Sequence, residues 1–220
     1  MRKVVNFIVA IDGTAGSGKG TIGKAISRNY NFRYLDTGLL YRAVAFNLKS
    51  FSGDLGSISE KKVLKAIQAI DENILKLKEL RENEFGEKAS LIATNPFVRK
   101  ELLIYQRNFA SQNGGVVLDG RDIGTVVCPD ANVKIFVDAI ESVRARRRVK
   151  QFEEQKISIS YRKVLEELRK RDEQDRNRKV SPMAPAKDAL LLDSSKMSVQ
   201  DSLDIVFFRI NAELNKNNIE

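Results

Sequence analysis

Gly13-Thr14-Ala15-Gly16-Ser17-Gly18-Lys19-Gly20-Thr21 is the stretch whose reading decides the fold. Before it, Val4, Val5, Phe7, Ile8, Val9, Ala10 and Ile11 form a nearly continuous apolar run that Asp12 ends. Apolar residues that do not alternate with polar ones predict a strand buried on both faces, here over Val4–Ile11. After it, Ile22, Ala25 and Ile26 return at helical spacing, predicting a helix from about Lys19 to Arg28. Strand, Gly-rich turn and helix in that order are the context in which a P-loop match carries meaning. Backbone N–H groups of such a turn converge on one spot and make a nest for phosphate oxygens. Lys19 adds a positive charge within reach of the outer phosphates. The nine residues are therefore expected to bind a nucleoside triphosphate whose terminal phosphate is moved or cleaved. The general pattern sets Ser or Thr directly after the lysine, with its hydroxyl on Mg²⁺. Here Gly20 intervenes and Thr21 follows, so the motif assigns no metal ligand. The competing reading, a merely tight turn, fits poorly with so many glycines, each of which loses conformational freedom on folding.

Outward from this turn the chain alternates. Phe32–Asp36 predicts a short strand, and Leu39–Lys49 a helix with Leu40, Val44 and Leu48 on one face. Residues 52–57 read as a loop. Val63, Ile67, Ile70, Ile74 and Leu77 favour helix over about 59–88, yet Leu75-Lys76-Leu77-Lys78 alternates like a strand, so this stretch stays open between the two. Pro96 suits the first turn of a helix expected to end near Gly114-Gly115. Val116–Asp119, Val133–Asp138 and Ala189–Asp193 are further strands, each an apolar run ending in aspartate. Residues 141–179 read as charged helix. Ser198 and Asp201 form a capping-box-like pair for a last helix carrying Leu203, Val206, Phe207, Ile210 and Leu214. Strands alternating with helices predict an α/β fold with a parallel sheet flanked by helices. Strand C-termini line the ligand crevice of such sheets, which makes the acidic and loop residues there site candidates.

The 220 residues carry a formal charge of +9, and residues 141–179 supply +6 of it, with 14 Lys and Arg against 8 Asp and Glu. A basic excess suits a nucleic-acid binder or an enzyme with polyanionic substrates. Its confinement to one segment laced with carboxylates, with only Phe152 and Tyr161 as aromatics, favours the enzyme over a basic nucleic-acid-binding NTPase. The absence of histidine excludes serine–histidine triads and HExxH zinc sites. The single cysteine, Cys128, excludes an internal disulfide and reads as a small packing residue. No apolar run is long enough to span a bilayer, and the short run at the N-terminus leads into the turn, not a cleavage site. A cytoplasmic protein, binding neither membrane nor nucleic acid, is expected.

Three further motifs bear on chemistry. Asp36–Arg42 follows a strand end, and Tyr41 and Arg42 could meet a second anion, or the run could simply begin a helix. Asp119-Gly120-Arg121-Asp122-Ile123-Gly124 places one arginine between two aspartates. Arginine clamps phosphate with paired N–H bonds, and a carboxylate can accept from an exocyclic amine such as N4 of cytosine. An internally paired turn is the alternative. Arg171, Asp175 and Arg178, at i, i+4 and i+7, would share one helix face. Arg144, Arg146, Arg147 and Arg148 could grip a triphosphate or nucleic acid, or lie in solvent.

Taken with the Gly13–Thr21 turn, the runs Leu35–Arg42, Asp119–Val127 and Arg171–Arg178 resemble, in order, the motifs of bacterial cytidylate kinases. The Gly-Lys-Gly-Thr form is common to nucleoside monophosphate kinases; the Asp-Gly-Arg-Asp turn with the later Arg/Asp helix is more specific. The resemblance implies one P-loop kinase domain with a core of about 1–53, 89–145 and 172–220. It also implies an inserted monophosphate-binding lobe at about 54–88 and a helical lid at about 146–171. It implies Mg²⁺-dependent phosphorylation of CMP and dCMP by ATP, a step of pyrimidine nucleotide metabolism, by a monomer. Carried over by position, Ser90, Arg99 and Asp122 would hold cytosine, and Asp175 and Arg171 the sugar. Arg42, Arg121 and Arg178, with Thr37, Tyr41 and Asp119 nearby, would bind the monophosphate. Lys19, Arg121, Arg178 and the lid arginines Arg147 and Arg148 would act on the transferring phosphoryl group. A different small-molecule P-loop kinase, such as one for shikimate, would need neither the Asp-Gly-Arg-Asp turn nor the later arginines.

Overall fold

The apolar run before the Gly-rich turn forms the middle strand of a parallel sheet in the computed structural model, which describes residues 6–51, 53–55, 58–154 and 156–216. Val4 and Val5, and Ser52, Gly56 and Ser57 of the expected loop, lie outside the described residues. The strands are β1 Phe7–Gly13, β2 Arg33–Asp36, β3 Gly115–Asp119, β4 Val133–Asp138 and β5 Leu190–Asp193. Their order is β2-β3-β1-β4-β5, all pairs parallel. The register aligns the aspartates at the strand ends, Asp36 with Asp119 and Asp138 with Asp193, so four acidic residues finish their strands along one edge.

Each face of the sheet is covered by helices, as the apolar strands require. On one side α1 Lys19–Tyr30 and α9 Val199–Lys216 bury Ile22, Ile26, Val206 and Ile210 against Val9, Ile11, Val117 and Ile135. Ser198 begins α9 as expected: its hydroxyl accepts from Asp201 N at 3.1 Å while its N–H donates to Asp201 Oδ2 at 3.0 Å. On the other side α2 Thr37–Asn47 and α6 Pro96–Ala110 pack Leu40, Val44, Val98 and Leu102 over Leu35, Val116 and Leu118. Asn95 caps α6, its side-chain oxygen accepting from Phe97 N and Val98 N. That helix ends at Ala110, short of the expected Gly114, which instead turns the chain at a φ of 94° into β3.

The stretch left open between helix and strand is helical: α3 Glu60–Gln68, α4 Glu72–Lys76, a 3-10 turn Lys78–Arg81 and α5 Asn83–Ile92. The alternation at Leu75–Lys78 arises where α4 stops, because Leu77 is extended before the 3-10 turn. Val63, Ala66, Phe85 and Ile92 from this segment join the cluster that covers the sheet. Residues 141–179 form an antiparallel pair, α7 Glu141–Glu154 and α8 Tyr161–Asn177. Ala145, Phe152, Val164 and Leu168 close between these helices and against Ala15 of the Gly-rich turn. Cys128 is buried in the core after a π-helical turn, Ile123–Val127. Among the described residues no helix is long and apolar enough to cross a membrane.

Two details of β1 give tests. Gly13 has a φ of 138°, and a Cβ there would lie 1.9 Å from the Val137 carbonyl oxygen of the paired strand. Gly20, in contrast, would place a Cβ at 3.6 Å from its nearest neighbours, Asp119 Oδ2 and Tyr34 OH. Gly13→Ala should therefore lose more than about 4 kcal/mol in urea unfolding, or fail to fold, whereas Gly20→Ala should stay within about 1 kcal/mol of the parent. Asp12 is buried and accepts from Ile123 N and Gly124 N, both at 2.7 Å, yet burial outweighs those bonds and pushes its carboxyl up to about 6. Between its ordinary 3.8 and about 6, the folded chain keeps a proton that the unfolded chain has lost. Asp12 should thus make stability fall as pH rises through that window, and Asp12→Asn should remove its part of the slope in urea midpoints.

Candidate active site

At the C-terminal edge of the sheet lies a cavity of about 970 Å³. One wall is the Gly-rich turn and the start of α1. Ala15–Thr21 line it, whereas Gly13 and Thr14 sit behind, with Thr14 Oγ1 donating to Asp138 Oδ1 at 2.6 Å. Gly16 and Gly18 take φ of 75° and 100°, conformations that β-carbons disfavour, and these turn the chain into the helix. Lys19 is buried, and its Nζ donates to Thr14 O at 2.6 Å, which folds it along the turn. Burial, then the nearby Arg121 charge, lowers its pKa. Asp119 lies opposite. Burial, then Asp36, raises its pKa, and Tyr34 OH donates to its Oδ2 at 2.7 Å. Thr37 Oγ1 donates to Asp119 O at 2.7 Å and so ties the start of α2 to the end of β3.

The other wall collects arginines around two carboxylates. Asp175, on α8, accepts from Arg121 Nε at 2.8 Å, with Arg178 and Arg171 at 3.7 and 3.9 Å. Burial works against its charge, but Arg121, Arg171 and Arg178 outweigh it and hold the carboxyl below its ordinary range. Asp122 pairs with Arg99 through one oxygen and with Arg178 through the other, at 3.3 Å. Arg178 is not on the helical face expected at i+7: it is the extended residue that ends α8, and the backbone turn brings it back to Asp175. Tyr41 lies under the Arg99 guanidinium, 5.7 Å from its ring centre. Arg42 donates to Leu80 O at 2.8 Å and Glu82 O at 3.0 Å, and burial, then Arg171, lowers its pKa to about 9. The Ser90 hydroxyl and the Nε atoms of Arg99 and Arg171 are buried with no hydrogen-bond partner among the described residues. Each costs about 1–3 kcal/mol in that state, so this wall is built to receive polar ligand atoms.

Every residue expected around the acceptor lines this one cavity: Thr37, Tyr41, Arg42, Ser90, Arg99, Asp119, Arg121, Asp122, Arg171, Asp175 and Arg178. Twelve Lys and Arg side chains line it against seven Asp and Glu, a surplus that suits polyphosphate ligands. The arginine cluster of α7 divides. Arg144 is buried and paired with Asp172, and Arg146 is exposed on the outer face. Arg147 is held by Ser17 O, Ser194 Oγ and Ser194 O at 3.4, 2.9 and 2.7 Å. Arg148 lies over the Phe152 ring at 4.5 Å, with Gln151 as its hydrogen-bond partner, and faces the cavity. Sequence reasoning missed Tyr34 and Ser194. The alternation of β2 puts Tyr34 on the same face as Asp36, a signal that could have found it; nothing in the sequence marks Ser194.

A sequence model of the family described as cytidylate kinase matches residues 9–212. The cytidylate kinase of Nitrobacter winogradskyi is 46% identical over 197 residues, covering 90% of this chain and 92% of that one. The cytidylate kinase of Bartonella tribocorum is 44% identical over 199 residues, with coverage of 90% and 92%. Among solved structures, a gluconokinase from Sinorhizobium meliloti superposes with a TM-score of 0.51 at 13% identity, covering 99% of this chain and 98% of that one. At that identity the likeness concerns the fold alone, a parallel sheet flanked by helices. Sequence likeness extends across nearly the whole chain, through both walls of the cavity, and on that ground the chain belongs to the cytidylate kinase family.

Proposed function

We infer that this protein transfers the γ-phosphoryl group of ATP to CMP, giving ADP and CDP, with dCMP as a second acceptor. The carrying observation is the single cavity in which the phosphate-binding turn faces Arg121, Asp122, Arg99 and the unpartnered Ser90 hydroxyl. Backbone N–H groups of Gly16–Gly20 hold the triphosphate, with Lys19 on its outer phosphates. Arg42, Arg121 and Arg178 hold the acceptor phosphate. Asp122, kept in place by Arg99 and Arg178, retains free lone pairs for the cytosine amino group, and Ser90 and Arg99 supply donors to the ring. Arg171 and Asp175 meet the sugar.

An oxygen of the acceptor phosphate forms the new bond to Pγ as the bond from Pγ to the bridging oxygen of ADP breaks. That oxygen belongs to a phosphate with a second pKa near about 6, so it is largely ionised at neutral pH and needs no general base. A chain without histidine is at no disadvantage here. The protein's contribution is alignment and charge neutralisation. The donors present fit Mg²⁺: Thr21 and Asp119 offer oxygen ligands in the cavity beside Lys19. Among the described residues no three acidic, histidine or cysteine side chains form a metal cage. The ion would then be carried mainly by the phosphates, as is usual for Mg²⁺ at nucleotide sites, and would offset charge on the β- and γ-oxygens. The helical segment around 54–88 serves as the acceptor lobe and α7–α8, over about 146–171, as the lid that excludes water.

A coupled assay of ADP release across CMP, dCMP, UMP and AMP tests the reading; equal rates with UMP or AMP would remove cytosine recognition. Asp122→Asn should lower kcat/KM for CMP by about 10–100-fold, the worth of a hydrogen bond to a charged group, and that for UMP much less. Arg121→Ala should weaken all monophosphates alike. The lid arginines should separate. Arg148→Ala, which removes a charge free to meet the transferring group, should lower kcat by about 100-fold. Arg147→Ala, which removes one of the two donors on Ser17 O and leaves Ser194 Oγ at 3.0 Å, should chiefly raise KM for ATP in the same assay.

A further inference from the structure

Behind the phosphate-binding turn, away from both ligands, lies a buried ion pair that neither the motif nor the proposed chemistry uses. Arg144 of α7 and Asp172 of α8 are 2% and 4% exposed in their side chains and meet at 2.5 Å. Both also grip Ala15. Asp172 Oδ1 accepts from Ala15 N at 3.2 Å, and Arg144 Nη1 donates to Ala15 O at 3.0 Å. Arg144 Nε further donates to Ala139 O at 2.8 Å, at the end of β4. The two peptide groups of Ala15 are thus clamped from outside, and the turn from Gly16 onward is left to present its N–H groups to the cavity. The helix that supplies Asp172 also supplies Arg171 and Asp175 to the other wall, and ends in Arg178. Residue 172 faces the turn while residues 171 and 175 face the acceptor.

We propose that Arg144 and Asp172 are positioning residues that couple the two substrate sites, with α8 as the strut. An acceptor nucleotide that orders Arg171, Asp175 and Arg178 fixes α8. Through Asp172 and Arg144 it also fixes the Ala15 peptides, so the turn is already ordered when the triphosphate arrives. Two anionic ligands in one cavity repel, so direct electrostatics alone would make each weaken the other. Positive coupling must come through the protein, and it is reciprocal. This proposal rests on the kinase reading above.

The test is calorimetric titration of the β,γ-imido analogue of ATP into the protein, with and without saturating CMP. CMP should tighten analogue binding to the wild type by at least about fivefold. Asp172→Asn keeps an oxygen for the Ala15 N–H but loses the charge opposite Arg144; the ratio should fall to about one or below. Removing one partner of a buried pair can prevent folding, whereas removing both charges is often tolerated. The double variant Arg144→Met with Asp172→Asn provides that case and should lose the coupling too. Both variants should keep CMP affinity within about twofold when no analogue is present. A purely structural pair would lower the fraction of binding-competent protein and leave the ratio at the wild-type value. That result, or a wild-type ratio of one in protein that phosphorylates CMP, overturns the strut alone. Wild-type protein that does not phosphorylate CMP overturns the kinase reading and the strut with it.

Discussion

Repulsion among like charges is the constraint on which the rest of this structure depends. The cavity gathers twelve cationic side chains, several of them buried, and guanidinium groups deprived of water and set beside one another push apart. Two carboxylates make the arrangement possible. Asp175 stands among Arg121, Arg171 and Arg178, and Asp122 between Arg99 and Arg178. Their compensation is incomplete: burial and neighbouring arginines still lower the pKa of Arg42, Arg171 and Arg178. An anionic ligand in the cavity would complete it. A site arranged in this way is stabilised by its ligands, because they bind the folded chain and relieve repulsion that the unfolded chain does not have.

The aspartates at the strand ends show how one sequence feature takes different tasks. Asp12 anchors the start of the π-helical turn through two backbone N–H groups. Asp36 caps α2 through Leu39 N. Asp138 holds Thr14 and Ala139, and Asp193 holds Ser195. Asp119 alone combines burial, a tyrosine partner and a place opposite Lys19 in the cavity. Parallel register puts such residues along one edge; the loop that follows each strand decides which remain available to a ligand.

The α7–α8 pair is where charge and packing meet. Its helices are mostly polar, and their small core of Ala145, Phe152, Val164 and Leu168 includes Ala15 of the turn. Arg144 and Asp172 make the same junction in polar form. The segment from Glu60 to Ile92 joins differently, through apolar residues continuous with the sheet-covering cluster. These two segments border the same cavity with different attachments.

Much of this was legible in the chain itself. Continuous apolar runs ending in aspartate marked the strands, the glycines and Lys19 marked the turn between β1 and α1, and the residues singled out in the Asp-Gly-Arg-Asp turn and among the later arginines converge on one cavity. These signals are local: strand burial, turn geometry and side-chain chemistry are written at fixed short spacings. The sequence by itself therefore determined the fold class, the glycine-rich turn and the types of side chain that gather in the cavity. Tertiary structure alone decided the surroundings of each arginine. Arg144, Arg147 and Arg148 share a helix within five residues, yet one is sealed behind the turn, one lines the cavity tied to Ser194 and one lines it over the Phe152 ring. It likewise decided that residues 59–88 are helical, where periodicity was ambiguous, and that Arg178 returns to Asp175 from beyond the helix end. The reason is physical: a charged side chain's role depends on its partners and on the water it loses, and here those partners come from positions far apart in the chain.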